Sequence, residues 1–223
     1  MKELVRDLVK DDVLKSPNII EAFLHVDRAD FLPDEIKSLA YVNEPLSIGY
    51  GQTISQPWTV AFMLEKLSPG PGHVILDVGS GSGWQTTLLS YIVSHDKFGK
   101  DIEEGMWGHV VGLELVPELA KKGLANISKY NFLRKGIAEI HARNAVGGFP
   151  GKMPFDRIIA AAASFNIQEE WKDQLKVGGR IVAPVNSRIV LLEKIEDKTF
   201  KKESFEGFAF VPFIENDEGS YKA

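Results

Sequence analysis

Three glycines at alternate positions follow an apolar run and form the most chemically informative stretch of this sequence. The run Val74–Val78 is mostly apolar and β-branched, and Gly79, Gly81 and Gly83 come directly after it. Such a pattern is typical of a buried parallel strand that turns into a helix, here predicted over residues 85–93. Because glycine lacks a Cβ, the turn would let a ligand lie against bare backbone at the start of that helix. The stretch predicts a nucleotide-type binding site.

The spacing of these glycines distinguishes between ligands. A dinucleotide fingerprint, G-x-G-x-x-G, would place its last glycine at Trp84, so that interpretation weakens. With the preceding aspartate the pattern is D-x-G-x-G-x-G, which resembles the first motif of Rossmann-like S-adenosylmethionine-dependent methyltransferases. An alternative is that the glycines only form a tight turn. The resemblance implies that S-adenosyl-L-methionine is the cofactor, with S-adenosyl-L-homocysteine as product, and that this stretch contributes Asp77, Gly79, Ser80, Gly81 and Gly83 to its binding.

Composition restricts the class of protein. The chain has 223 residues, 44% hydrophobic and 26% charged, which suits one soluble globular domain. We expect a single methyltransferase domain over 1–223, with N-terminal helices and a substrate loop in 1–68 and a Rossmann-like core in 69–223. The chain begins with a charged amphipathic segment and has no apolar run long enough to span a membrane, so a cytoplasmic protein without a membrane partner is expected.

Residue usage excludes several chemistries. The absence of cysteine excludes disulfides, thiolate catalysis and zinc–thiolate sites, and the five histidines never fall at paired ligand spacing, so no metal site is expected. The net charge of −5 argues against a nucleic-acid surface. Alternating strands and helices predict an α/β fold with a mostly parallel, seven-stranded sheet and helices on both faces.

Two amphipathic helices and a long loop precede the glycine turn. Apolar residues at helical spacing predict one helix over the first dozen residues, and Ser16 followed by Pro17 predicts the start of a second. The passage Tyr41–Pro57 lacks periodicity, and ordered loops of that length tend to be functional.

Part of that passage carries a second resemblance. The pattern P-L-x-I-G-x-G-Q-T-I-S-Q-P over residues 45–57 closely resembles the signature of protein-L-isoaspartate O-methyltransferases, and it lies at that family's distance ahead of the glycine turn. Similarity continues through 28–33, 63–67, 154–163, 174–180 and 210–213, so it spans nearly the whole chain in order. The sequence is therefore identified as a member of that family.

The resemblance implies a reaction. Members transfer a methyl group to the α-carboxylate of L-isoaspartyl residues in damaged proteins and peptides, which would be this protein's partners, and so initiate repair. A carboxylate is already ionised at neutral pH, so positioning rather than a general base is required. Ser55 is the candidate to hold that carboxylate as the catalytic residue, and Thr53, Ile54 and Gln56 complete the substrate site. A monomer is expected.

Later strands supply the rest of the cofactor site. Glu114 ends the predicted strand 110–114, where a carboxylate can accept hydrogen bonds from ribose hydroxyls. The resemblance also assigns Asn144 and Ala145 to the adenine pocket, but here Arg143-Asn144-Ala145 replaces the family's Gly-Asp-Gly. The amide oxygen of Asn144 can still accept a hydrogen bond but carries no charge. Asn43 likewise replaces an aspartate.

The remaining predicted elements lie in the C-terminal half. Strands are predicted over 138–142, 155–160, 180–184, 188–195 and 205–213, and a helix over 168–175 that ends at Gly178-Gly179. Residues 94–108 are polar and resemble an insertion relative to the family.

Two other functions stay open at this stage. One is a methyltransferase that acts on an amine or hydroxyl, for which a nearby base would be expected. The other is a cofactor-binding module without turnover, which the altered Arg143–Ala145 segment makes plausible.

Overall fold

A seven-stranded sheet forms the centre of the molecule in the computed structural model, which describes residues 1–215. The helices are α1 (Lys2–Lys10), α2 (Pro17–His25), α3 (Pro57–Leu67), α4 (Trp84–Ser94), α5 (Pro117–Ser128) and α6 (Glu169–Asp173). The strands are β1 (Leu46–Gly49), β2 (Gln52–Ile54), β3 (Val74–Val78), β4 (His109–Glu114), β5 (Ala138–Ala142), β6 (Phe155–Ala160), β7 (Leu175–Val185), β8 (Arg188–Glu196) and β9 (Thr199–Glu206). Short 3₁₀ turns cover Arg28–Phe31, Asp34–Leu39 and Pro150–Lys152.

The order of the strands creates a crevice at one end of the sheet. They lie in the order β5-β4-β3-β6-β7-β8-β9, with β3 to β7 parallel and β8 and β9 antiparallel. The predicted mostly parallel α/β fold is confirmed. The chain first moves outward from β3 to β5 and then returns to place β6 on the other side of β3. This reversal leaves a crevice beyond the carboxyl ends of β3 and β6, where ligands bind in such sheets.

Helix α4 lies between the sheet and the N-terminal helices. Every one of its residues is buried, including five hydroxyl-bearing residues. Three of these hydroxyls, on Thr87, Ser90 and Ser94, donate to the carbonyl oxygens four residues earlier, so they are satisfied within the helix. Phe23 of α2 meets the ring of Trp84 edge-on at 5.6 Å between centroids. The N-terminal helices therefore cover the start of α4, next to the glycine turn.

The passage 41–57 is not the structureless loop that the sequence predicts. It contains the antiparallel hairpin β1–β2, in which Leu46 pairs with Ile54. The turn residues Gly49, Tyr50 and Gly51 all have positive φ, the backbone geometry of tight hairpin turns. With strands of four and three residues, the alternation that identifies a strand is too short to recognise in the sequence.

Two predictions in the C-terminal half are wrong. The helix predicted over 168–175 ends at Asp173, and β7 begins at Leu175. Gly178, predicted to end that helix, instead lies inside β7 at φ +78°, where the pairing with β6 is irregular. The strand predicted over 205–213 lies earlier, over Thr199–Glu206, because a tight turn after Glu196 directs the chain straight back along β8. Of the aromatic residues in 205–213, Phe205 of β9 pairs with Ile189 of β8, whereas Phe208 packs against Trp58 and Phe62.

Of residues 94–108, which resemble an insertion, Ser94 ends α4 and the others form a loop. Phe98 and Met106 are 76% and 62% exposed, whereas the Trp107 indole is half-buried and donates to the Ile102 carbonyl. Across the described chain, none of the helices combines the length and apolar composition needed to cross a membrane.

Candidate active site

The glycine turn is fastened to the end of the neighbouring strand. Gly79, Gly81 and Gly83 have φ values of +78°, +53° and +86°, which side-chain-bearing residues rarely adopt. The Gly79 N–H donates to the Leu113 carbonyl of β4 over 2.8 Å. A Cβ on Gly83 would lie 3.0 Å from the Gly123 carbonyl oxygen of α5. The turn therefore needs glycine both for its backbone conformation and for the close approach of α4 to α5.

A cavity opens beside this turn at the carboxyl ends of β3, β4 and β6. It brings together most of the predicted site residues, from separate parts of the chain: Thr53, Ile54, Ser55, Gly79, Ser80, Gly81, Glu114 and Ala145. The predicted residues Asp77, Gly83, Asn144 and Gln56 do not line it. The sequence gives no binding role to other lining residues, among them Gln85, Val116, Arg143 and residues 211–214. The resemblance over 210–213 was the only signal for that last segment.

Glu114 reaches the cavity from the end of β4. Its side chain is buried, and its carboxylate accepts hydrogen bonds from the backbone N–H groups of Gly81, at 2.7 Å, and Val116, at 2.9 Å. Burial raises the pKa of Glu114, and the backbone donors oppose that shift. The carboxylate is an acceptor-only group in a low-dielectric wall, which is the chemistry that holds paired hydroxyl groups.

Asp77 does not face the cavity, although it begins the sequence motif. It is fully buried at the end of β3, and its two oxygens accept from Gln85 Nε2, at 2.7 Å, and Thr86 Oγ1, at 2.6 Å. Burial raises the pKa of Asp77 to about 6. Asp77 is therefore connected to the cavity through Gln85, which lines it.

Ser80 presents a buried hydroxyl toward the same turn. Its Oγ is inaccessible to solvent and has no hydrogen-bond partner within residues 1–215. A buried hydroxyl without a partner costs about 1–3 kcal/mol.

The segment 53–56, here called the substrate segment, forms the opposite wall and separates two cavities. The second cavity is lined by Pro45, Gln56, Trp58, Thr59 and residues 206–210. Thr53, Ser55, Ala161 and Val211 line both. The Ser55 hydroxyl makes no hydrogen bond to another residue of the described chain and is only partly buried. It is a free donor at the junction of the two cavities.

Asn144 contacts the C-terminal segment rather than lining the cavity. Its Nδ2 lies 3.2 Å from the Glu215 carbonyl oxygen, and its Oδ1 accepts from the Val146 N–H at 2.9 Å. The flanking residues Arg143 and Ala145 do line the cavity. A contact between Asn144 and an adenine amino group therefore stays a prediction.

Comparisons with known proteins agree with this geometry. The family model described as protein-L-isoaspartate(D-aspartate) O-methyltransferase matches residues 1–218. The protein-L-isoaspartate O-methyltransferase of Methanopyrus kandleri is 36% identical over 222 residues, covering 98% of this chain and 92% of the relative. That of Pyrococcus abyssi is 38% identical over 220 residues, covering 96% and 94%.

A solved structure matches over the same extent. It is a crystal structure from Plasmodium falciparum, described as a protein-L-isoaspartate O-methyltransferase in complex with S-adenosyl-L-homocysteine. It aligns with a TM-score of 0.83 at 25% identity and covers 96% of this chain and 98% of its own. Together with the family match over nearly the whole sequence, these relatives show that the chain belongs to the protein-L-isoaspartate(D-aspartate) O-methyltransferase family.

Proposed function

We propose that the two adjoining cavities bind the methyl donor and the damaged peptide on either side of Ser55. The protein is an S-adenosylmethionine-dependent carboxyl O-methyltransferase that acts on the α-carboxylate of L-isoaspartyl residues and so initiates their repair. What carries our assignment of the residues is the free Ser55 hydroxyl, which lines both cavities.

The residues of the first cavity fit the donor. S-adenosylmethionine, when bound, supplies a methyl group on a positively charged sulfur. Ser80 and the bare backbone at Gly79 and Gly81 line the part of the cavity that suits its amino-acid end, and the Glu114 carboxylate suits its ribose hydroxyls. Ala161 and Ala162 at the end of β6 leave space between donor and substrate segment.

Ser55 would orient the nucleophile in the second cavity. The substrate carboxylate is ionised at neutral pH, so its oxygen can attack the methyl carbon without a general base. The Ser55 hydroxyl would donate to the other carboxylate oxygen and fix the direction of attack. Thr53 and Ile54 shape the wall beside it, and Gln56 lies in the peptide cavity. Asp77 and Gly83 would support this site indirectly, Asp77 by accepting hydrogen bonds from Gln85 and Thr86 and Gly83 by its close approach to α5.

Methyl transfer to paired peptides tests this function. Radiolabelled donor is supplied with two synthetic peptides that differ only in an isoaspartyl or aspartyl linkage, and label is expected on the isoaspartyl peptide alone. Equal labelling of both would point to a different carboxylate. Calorimetry with S-adenosylhomocysteine distinguishes a protein that binds without turnover from one that does not bind.

Replacement of Ser55 tests the residue assignment separately. Ser55→Ala should lower kcat by about 100-fold, as removal of one oriented donor does in other enzymes, and leave the Kd of S-adenosylhomocysteine unchanged. Ser47→Ala is the matched control, because Ser47 is an exposed serine of the same hairpin that lines neither cavity. A Ser55→Ala enzyme with parental kcat removes Ser55 from the mechanism.

The monomeric state, the single domain over 1–223 and the cytoplasmic location stay predictions, as does the absence of nucleic-acid and membrane partners.

A further inference from the structure

The guanidinium of Arg28 is buried without an acidic partner. Arg28 follows α2, is 0% exposed, and makes no ion pair with any carboxylate in residues 1–215. Burial lowers the pKa of Arg28 to about 10, so the side chain remains charged at neutral pH. A buried charge destabilises the fold unless other groups compensate it. The contacts of this guanidinium therefore show which groups compensate its charge.

Those contacts are four backbone carbonyl groups. Nη1 donates to the carbonyl oxygens of Ala40, at 2.9 Å, and Val42, at 3.2 Å. Nη2 donates to those of Glu44, at 2.9 Å, and Ser55, at 3.1 Å. The planar guanidinium has its donors in a fixed fork, so all four carbonyls are held in one arrangement. Arg28 thus joins the chain on both sides of the β1–β2 hairpin.

The same guanidinium also contacts the donor side of the site. Its central carbon lies 5.4 Å from the centroid of the Trp84 ring, within the range of a cation–π interaction. Trp84 begins α4 and lines the donor cavity. One side chain therefore spans from the backbone of Ser55 to the helix that follows the glycine turn.

We propose that Arg28 is a positioning residue for methyl transfer, which sets the Ser55 hydroxyl relative to the donor by holding the Ser55 carbonyl against Trp84. This proposal rests on the role proposed above for Ser55. Arg28 lines neither cavity and acts on the reaction through the substrate segment. Lysine cannot replace it, because a single ammonium group cannot serve four carbonyls in this geometry.

Arg28→Lys tests the proposal with most of the side-chain volume kept. We expect kcat to fall about tenfold or more, as happens when a reacting group is displaced by a fraction of an ångström. The Kd of S-adenosylhomocysteine should stay within about twofold of the parent, since the donor cavity keeps its own residues. Parental kcat in Arg28→Lys, or a fall in kcat matched by an equal loss of S-adenosylhomocysteine affinity, would overturn the proposal.

A double variant separates this role from general support of the fold. If Arg28 acts through Ser55, then Arg28→Lys should lose most of its effect on kcat once Ser55 is already alanine. Equal fold-losses in the two backgrounds contradict the proposal. If Ser55→Ala alone has parental kcat, the role proposed for Ser55 fails, and that outcome is visible before the double variant is made.

Chemical rescue of kcat by guanidinium ion distinguishes a positioning role from a merely structural one. Arg28→Ala leaves a space that guanidinium ion can enter, and millimolar guanidinium chloride should restore several-fold of the lost kcat, whereas equal ammonium chloride should not. No rescue is expected in Ser55→Ala under the same conditions. If Arg28→Ala does not fold, the Arg28→Lys result and the double variant decide the question. A folded Arg28→Ala enzyme that guanidinium does not restore, or that ammonium restores equally, contradicts the proposal.

Discussion

The glycine turn and the substrate segment face each other across one cavity, yet different interactions fix them. The turn continues directly from β3 in the middle of the sheet, and hydrogen bonds to β4 fix its backbone. The substrate segment lies at the end of a two-stranded hairpin outside the main sheet. It is held by long-range hydrogen bonds: the Arg28 guanidinium donates to the Ser55 carbonyl, and the Gln56 side-chain amide donates to the Asn43 carbonyl.

The two regions differ in this way because, in the proposed function, they bind different ligands, the glycine turn the methyl donor and the substrate segment the peptide. A methyl donor is the same molecule in every turnover, so a rigid, preorganised wall suits it. Isoaspartyl sites occur in many protein contexts, and a wall outside the sheet can be shaped without disturbing the core. The comparison predicts that substitutions in the glycine turn reduce stability and donor affinity together. Substitutions around the substrate segment should affect turnover or local stability alone.

Glycine substitutions in the glycine turn and in the β1–β2 hairpin turn should give the largest difference in unfolding free energy. Gly83→Ala adds a Cβ about 3 Å from the Gly123 carbonyl oxygen at a positive φ, so backbone strain and overpacking together should cost about 3–4 kcal/mol of unfolding free energy. Gly51→Ala also has a positive φ, but its Cβ would meet open space, and about 1 kcal/mol is expected. Urea unfolding measures both. Equal losses would show that close packing does not distinguish the two turns.

The sequence predicts the glycine turn better than the substrate segment. The turn follows from local sequence pattern, whereas the substrate segment depends on long-range contacts. Buried parallel strands such as β3 are near-continuous apolar runs, and a glycine turn is a local pattern, so both can be read directly. The β1–β2 hairpin is too short for its alternation to be visible. The link between Arg28 and the Ser55 carbonyl joins backbone to side chain across 27 residues, and backbone acceptors leave no trace in residue types.

Long-range packing also explains the residues that were placed less well. Asp77 belongs to the motif, but only the structure shows that Gln85 and Thr86 occupy its oxygens and keep it out of the cavity. The sequence predicts a helix up to the start of β7 because Gly178-Gly179 resembles a helix end. In both cases the deciding contacts come from tertiary structure rather than local pattern.

The titration of Asp77, which precedes the glycine turn, should give the next largest effect on the free energy of unfolding. Its pKa is raised from 3.8 to about 6, so the folded protein holds this proton more tightly than the unfolded chain. Its contribution to stability is therefore present below about pH 4 and is lost as the pH rises through about 6. Relative to the parent, Asp77→Asn, which stays neutral, should gain about 2–3 kcal/mol of unfolding free energy between pH 4 and pH 7.

Chemical unfolding across that pH range measures the Asp77 effect. The exposed Glu103→Gln, in the 94–108 loop, is the control and should track the parent. A constant difference between Asp77→Asn and the parent at all pH values would mean that Asp77 does not titrate in this window.

Replacement of Glu114 should have a smaller effect, which we measure on donor binding. Glu114→Gln keeps the shape but loses one acceptor and the charge, so the Kd of S-adenosylhomocysteine should rise about tenfold. Parental affinity should weaken as the pH falls through the raised pKa of Glu114, because the protonated acid is a poorer acceptor, and the variant should lack this dependence. Calorimetry at several pH values tests both, with the exposed Glu118→Gln as control. A variant with parental affinity would place the ribose elsewhere.

The smallest effect concerns Asn43, which precedes the β1–β2 hairpin. Its Oδ1 accepts from the Trp58 N–H in the first turn of α3, so it acts as a helix cap just after the substrate segment. Asn43→Ala should cost about 1 kcal/mol of stability. Asn43→Asp keeps the acceptor and adds a negative charge at the helix N-terminus, so it should stabilise by about 0.5 kcal/mol. Thermal unfolding measures both, and a raised Tm with unchanged kcat would show that this position supports the wall without taking part in the chemistry, whereas a changed kcat would link the cap to Ser55.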